Sequence, residues 1–219
     1  MAEAVPEMIR LGVHMTELLC RQSLDRFEIR ELIDNWVVWR DTGDWERFGT
    51  LWHDEGRMVT TWCEVSAQEF IGLCKKAWAG GSIHATHFLG GTSIELAGER
   101  AVAHTKMLIT QRAPLHGVTV DVICSGRFYD LLERRNERWA LVLRHPIYEM
   151  DRIESVDPSV SLKLDQNLLN EMPYGYRHLA YLQTALGLKV NRCLPCKTGP
   201  EIERLLERGR SWLANGTAD

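Results

Sequence analysis

The chain has 219 residues, 45% of them hydrophobic and 26% charged, with a formal net charge of -4. That profile is ordinary for a globular protein with one substantial domain and an appendage, or two small domains, and it offers no electrostatic reason to bind nucleic acid. No apolar run approaches the roughly 18 residues of a membrane span, MAEAVPEMIR lacks the basic start and apolar core of a secretion signal, and six dispersed cysteines fit free thiols in a reducing compartment, so a cytoplasmic protein without membrane or nucleic-acid partners is expected.

Residues 1–22 are weakly patterned and read as a helical lead-in. Ile29, Leu32, Ile33, Trp36 and Val37 then recur at helical spacing, and Gly43 is a plausible C-cap. Asp44 is placed to N-cap a second helix over WERFGTLWHDEG, closed by Gly56, and RMVTTW reads as a strand. Ser66 and Glu69 form a capping box for a third helix that ends at Gly80-Gly81. The period then changes. Residues 83–96, 101–112, 116–131 and 138–153 are rich in Val, Ile, Thr, Phe and Tyr, and the turn segments AGER, APLHG and RRNE separate them.

Four strands with short links make an antiparallel meander, so the fold class is α+β, with three helices on one face of a curled sheet over residues 23–155. Residues 156–219 turn helical again in EMPYGYRHLAYLQTALGLKV and GPEIERLLERGRSWLANG, an extension suited to be a lid, a packing arm or a dimerisation element. The CLPC pair at 193–196 is half a zinc site with no second half, in a loop, and reads as incidental thiols. Six of the eight tryptophans (Trp36, Trp39, Trp45, Trp52, Trp62 and Trp78) fall before residue 80, which suits either an apolar pocket or a well-filled core.

One residue breaks the pattern. Ile33, Val37 and Asp41 are spaced i, i+4, i+8, so Asp41 shares the apolar face of the first helix. It also ends that helix, where the macrodipole disfavours an anion by roughly 0.3–1 kcal/mol. Asp41 is therefore either solvated in the loop or the partner of a histidine on the sheet, whose tautomer it would fix and whose imidazolium it would favour. His84 and His87 open the third-helix-to-strand segment HATHFLGG; three apart on a strand, at most one of them faces a pocket. His53, His104, His116, His145 and His178 are the other candidates, and spacing does not rank them.

Arg144, in the apolar strand ALVLRHP, needs a partner: a carboxylate such as Asp121, or an anionic substrate oxygen. Asp121 itself would be a second pocket acid or a solvent-facing one. His84 would sit on the pocket rim, and Trp36, Met58, Trp62 and Phe88 would shape an apolar pocket or plain core.

Residues 22–153 resemble the SnoaL-like branch of the nuclear-transport-factor-2-like superfamily. The opening helix pair IRELIDNWVVWRDTGDWERFGTLWHDEGRMV, the strand THFLGGTSIEL with its leading histidine, and the last strand WALVLRHPIYEMDRI carry the likeness. The resemblance implies a cone, a curled sheet wrapped around a pocket. Lyases of that branch, such as the scytalone dehydratases, bile-acid 7-alpha-dehydratases and hexachlorocyclohexane dehydrochlorinases, use an Asp–His dyad, and its positions match Asp41 and His87.

By the same likeness Trp139 and Arg144 reproduce a tryptophan–arginine spacing of the dehydrochlorinase. The chain departs at Trp36, where the lyases carry a tyrosine or lysine, and at Gly91, which replaces a polar residue. The implied activity is a cofactor-independent elimination, dehydratase or dehydrohalogenase in type, on a small apolar or polycyclic molecule, with no metal. His87 would be the base, Asp41 its orienting partner, and Arg144 the stabiliser of negative charge; Tyr174 or Tyr176 would supply the hydroxyl missing at position 36. The same base would also serve an isomerase or cyclase, and a cone without turnover would be a ligand-binding or assembly module. The resemblance further implies a homo-oligomer, dimer or trimer.

Overall fold

Helix α1 (Ala4–Thr42) presents Ile29, Leu32, Ile33 and Trp36 on one buried face, the i, i+3, i+4, i+7 stripe of an amphipathic helix. The computed structural model describes residues 4–81 and 84–216. The strand start expected at residue 83 and the outermost residues of the lead-in and extension lie outside these. The lead-in is not a separate element: α1 is one continuous helix of 39 residues. It stops at Gly43, whose φ of +76° is a left-handed conformation that suits glycine.

Asp44 caps α2 (Trp45–Thr50), accepting the Arg47 backbone N–H at 3.3 Å. This helix is shorter than its sequence pattern. The chain enters β1 (Trp52–Val59) directly after Leu51, whose carbonyl accepts the Leu141 N–H at 2.9 Å. Gly56 thus lies inside a strand rather than at a helix end. A Cβ there would sit 2.8 Å from the His53 carbonyl, where the register of β1 shifts. Strand β2 (Glu64–Ser66) pairs antiparallel with β1, and Ser66 caps α3 (Ala67–Gly80) by accepting the Glu69 N–H at 3.2 Å. Such a cap stabilises a helix by about 1 kcal/mol.

Strands β3 (His84–Ala97), β4 (Arg100–Leu115), β5 (Val118–Arg135) and β6 (Arg138–Ser155) form the expected antiparallel meander. The six strands run in the order β2-β1-β6-β5-β4-β3, and β1 joins the meander parallel to β6. The result is an α+β cone with a curled, unclosed sheet. Bulges between Leu89 and Thr92, Ser125 and Gly126, and Leu131 and Leu132 help bend it. On the inner face the register sets His87 beside Ile109 and Cys124, and Ala85 beside Gln111 and Val122. Helices α1 and α3 cover one half of that concavity.

The extension covers both sides of the sheet. It comprises α4 (Gln166–Asn170), a 3-10 turn (Tyr174–Tyr176), α5 (Arg177–Ala185) and α6 (Pro200–Asn215). Helix α5 closes the open half of the concavity. The buried Asp151 carboxylate anchors its first turn, accepting the Leu179 N–H at 2.8 Å and bonding His178 Nδ1 at 2.8 Å. Helix α6 lies on the outer face, where Gly209 packs on Tyr129 and Trp212 Nε1 donates to the carbonyls of Ala101 and Leu132. The CLPC segment covers the edge of β6 that β1 leaves open: the Tyr148 N–H donates to the Pro195 carbonyl at 2.9 Å. All six cysteines are free thiols. Among the described residues no helix is long and apolar enough to cross a membrane, and no cluster of His, Cys, Asp and Glu is arranged to hold a metal.

Candidate active site

Asp41, at the end of α1, meets His87, on β3. Its Oδ1 lies 2.9 Å from His87 Nδ1, and its Oδ2 accepts the backbone N–H of His87 at 2.6 Å. Arg40 Nη1 donates to the same Oδ1 at 2.9 Å and to the Ala85 carbonyl at 2.8 Å. Three donors therefore offset the unfavourable helix end. Burial works to raise the Asp41 pKa, but the His87 hydrogen bond and the charges of His87 and Arg40 outweigh it, and the carboxyl is held below its ordinary 3.8.

His87 goes the other way from the sequence expectation. Burial is the largest influence and lowers its pKa below 6.5; the Asp41 bond opposes this, while the Arg40 charge, and more weakly that of Arg144, adds to the lowering. The imidazole is thus kept neutral, not pushed toward imidazolium. A neutral ring that gives its Nδ1–H to Asp41 carries its lone pair on Nε2. Among the described residues nothing bonds Nε2, and His87 lines a cavity. A neutral imidazole with a fixed tautomer and a free nitrogen at a cavity is what a general base requires.

The cavity holds about 60 Å³ of space open to the centres of water molecules. That is room for a few waters, and below the roughly 150 Å³ that takes benzene. Trp36, Trp62, Phe70 and Phe128 make its aromatic walls, with Met58 beside them. The Trp36 ring meets His87 edge-on, centroids 5.5 Å apart, and its Nε1–H is enclosed with no partner among the described residues. A second, polar wall was not foreseen. Thr61 Oγ1 donates to Gln183 Oε1 at 2.5 Å, Gln183 Nε2 donates to Gln111 Oε1 at 3.1 Å, and Tyr148 lines the cavity with them. Gln111 and Tyr148 share the strand phase of Ile109 and Pro146, so alternation alone would have put them inside; nothing in the sequence signals that α5 brings Gln183 and Leu179 to the same space. Arg40 was also missed, although it adjoins Asp41 and lines the cavity.

The remaining candidates fall elsewhere. Arg144 does not reach the cavity: it is fully buried, bonds Asp130 through two nitrogens at 2.8 and 2.7 Å, and lies 4.5 and 4.4 Å from the ring centroids of Trp36 and Phe128. Its partner is Asp130 rather than Asp121, and it supports the wall instead of touching an occupant. Asp121 is on the other face, paired with Arg112 at 2.7 and 2.6 Å. Phe88 also points outward, 73% exposed, because it alternates with His87. His84 lines a separate depression with Asp41 and Trp78, outside the cavity. Tyr174 is exposed, and the Tyr176 hydroxyl is committed to Asn191 and Leu194, so neither supplies a hydroxyl here.

An NTF2-like cone with a histidine–aspartate pair beside an internal cavity defines the class. The chain belongs to the SnoaL-like domain family, whose sequence pattern matches residues 21–145. It is 36% identical to pea pathogenicity protein 2 of Fusarium vanettenii, over 79% of this chain and 76% of that one. It is 32% identical to an uncharacterized protein of Emericella nidulans, over 87% and 86% of the two chains. Its fold is similar to that of a hexachlorocyclohexane dehydrochlorinase (TM-score 0.54, 10% identity, 66% of this chain and 97% of that one). It is also similar to that of a putative scytalone dehydratase of Novosphingobium aromaticivorans (TM-score 0.50, 12% identity, 65% and 97%).

Proposed function

We propose that the protein is a cofactor-independent lyase of the dehydratase or dehydrohalogenase type. His87 Nε2 takes a proton from a carbon of a small bound molecule, the C–H electrons form a double bond, and the leaving group departs with its bonding pair. Asp41 holds the ring and stabilises the imidazolium that forms. The carrying observation is the 2.9 Å contact from Asp41 to His87 Nδ1, with Nε2 left over at the cavity. The small volume favours a compact substrate over a polycyclic one. Because an indole stands where an acid would serve, leaving groups that depart as stable anions suit the site. The same feature supports isomerisation, which needs the base and no leaving group. A panel of the smallest β-halo carbonyl compounds, beginning with 3-chloropropanal, followed by enal or enone absorbance, tests the reading. Elimination by the wild type that is lost in His87→Ala supports it; elimination at equal rates in both contradicts it.

Two further features extend the reading. Six free thiols suit a reducing, cytoplasmic setting. A homo-oligomer would bury an apolar row on the outer face: Phe88, Leu108 and Met150 are 73%, 38% and 63% exposed, and share one register across β3 to β6 with Ser125. Sedimentation should show a dimer or trimer for the wild type and a monomer for Phe88→Asp with Met150→Asp. Identical sedimentation of the two proteins would remove this part of the proposal.

A further inference from the structure

The polar wall has a donor to spare. Gln111 is 6% exposed, lines the cavity, and accepts a hydrogen bond from Gln183 through its Oε1. Its Nε2 has no protein partner among the described residues. Gln111 Nε2 is not one of the nitrogens sealed inside the protein without a partner, so its hydrogens are matched by whatever fills the cavity. The hydrogen-bond chain that ends on it runs in one direction. Thr61 gives its hydroxyl hydrogen to Gln183 Oε1, and Gln183 gives its amide hydrogen to Gln111 Oε1. The Gln111 carbonyl side is thereby occupied and its nitrogen side faces the cavity.

The placement relative to the base is informative. On the inner face His87 pairs with Ile109, and Gln111 is the next inner residue along β4. Such diagonal neighbours have their Cβ atoms up to about 7–8 Å apart. His87 Nε2, which accepts, and Gln111 Nε2, which donates, belong to residues that line the same cavity, a pairing that matches a C–H next to a carbonyl: the carbon toward the histidine, the oxygen toward the glutamine. A hydrogen bond to that oxygen draws charge from the neighbouring carbon and stabilises the enolate that forms when the proton leaves. The aromatic walls suit the flat remainder of such a molecule.

We infer that Gln111, held by Gln183 of the C-terminal extension, is the oxygen-binding residue of the cavity, and that the occupant is a compact carbonyl compound whose acidic C–H faces His87. Gln183 is a positioning residue, acting through Gln111. This deepens the proposed reaction by naming its substrate class, and rests on that reading only for the fate of the proton. The extension is then part of the site and not merely a packing arm.

Binding, which needs no turnover, tests it. The probes are acetone and its hydrocarbon isostere isobutene, small enough for a cavity that benzene would overfill, titrated into the full chain labelled with nitrogen-15. The ketone should shift the side-chain amide signals of Gln111 and Gln183, and should bind roughly three- to tenfold more tightly than the hydrocarbon, the worth of one hydrogen bond. Gln111→Leu and Gln183→Leu should each erase that preference while the hydrocarbon still binds. His87→Ala should keep it, so failure of the base leaves this result standing. Equal binding of ketone and hydrocarbon by the wild type, or an undiminished preference in folded Gln111→Leu, would overturn the assignment. Should a leucine variant fail to fold, Gln111→Met reads the same point: it keeps the length of the side chain without the donor, and must lose the ketone preference.

Discussion

Replacing His87 by alanine is expected to lower kcat/KM for elimination by roughly 10²- to 10⁴-fold, the usual contribution of a positioned general base. The argument rests on what else the cavity offers. Of the groups that line it, Arg40 is cationic, the Tyr148 hydroxyl is raised well above its ordinary pKa of 10 by burial, and the two glutamines do not titrate. None of these takes a proton near neutral pH. Asp41 is the nearest carboxylate, but both of its oxygens are engaged by His87 and Arg40.

Asp41→Asn should act in the same direction for a different reason. An amide can donate as well as accept, so the ring is free to bond through Nδ1 as acceptor, which places the proton on Nε2 and removes the base. Steady-state kinetics on the two variants checks this, with unchanged circular dichroism as the control. A variant of His87 that keeps wild-type turnover would end the account of the site.

The largest loss of stability should come from the pair behind the wall. Arg144 and Asp130 are both fully buried and joined by two hydrogen bonds. Removing one member leaves the other as an uncompensated charge in an apolar interior, a change that costs about 3–5 kcal/mol. Asp130→Ala should therefore lower stability by about that amount in denaturant unfolding, with ligand binding weakened because the Arg144 guanidinium packed on Trp36 and Phe128 loses the carboxylate that holds it there. The double change Arg144→Met with Asp130→Leu should recover most of the loss, since a buried pair and an apolar replacement of similar volume are often near equal. If Asp130→Ala unfolds at the wild-type midpoint, or the double variant is as weak as the single, the pair is not a buried ion pair of this kind.

The sequence revealed the face of α1 because its apolar residues keep one period, and Asp41 falls on that period eight residues after Ile33. The meander was legible from strand composition and turn segments. His87 as the partner came from the likeness to the family, since spacing alone left seven histidines open. Other features depend on long-range geometry. Counted from the Asn136–Glu137 turn, Arg144 would face Tyr129; the bulge between Leu131 and Leu132 slips the register by one and brings it to Asp130. Leu51 and Trp52 satisfy a helical and a strand pattern alike, and pairing with β6 decides for the strand. Phe88 and Asp121 looked like pocket residues by composition and lie on the outer phase of their strands. The docking of α5 turns on Asp151 and the edge of β6, which no local pattern announces.

The central claim is that His87 is a neutral, Nδ1-protonated imidazole with an open Nε2. A nitrogen-15 NMR titration of its ring, assigned by difference from His87→Gln, tests this most directly. Burial and the nearby arginines lower its pKa, so the ring should stay neutral as pH falls through 6.5 and take up a proton only below that, with the acid limb of kcat/KM at the same place. The Nδ1 signal should be that of a protonated nitrogen and the Nε2 signal that of a bare one. Titration at or above 6.5, or a proton resident on Nε2 in the neutral ring, would contradict the account.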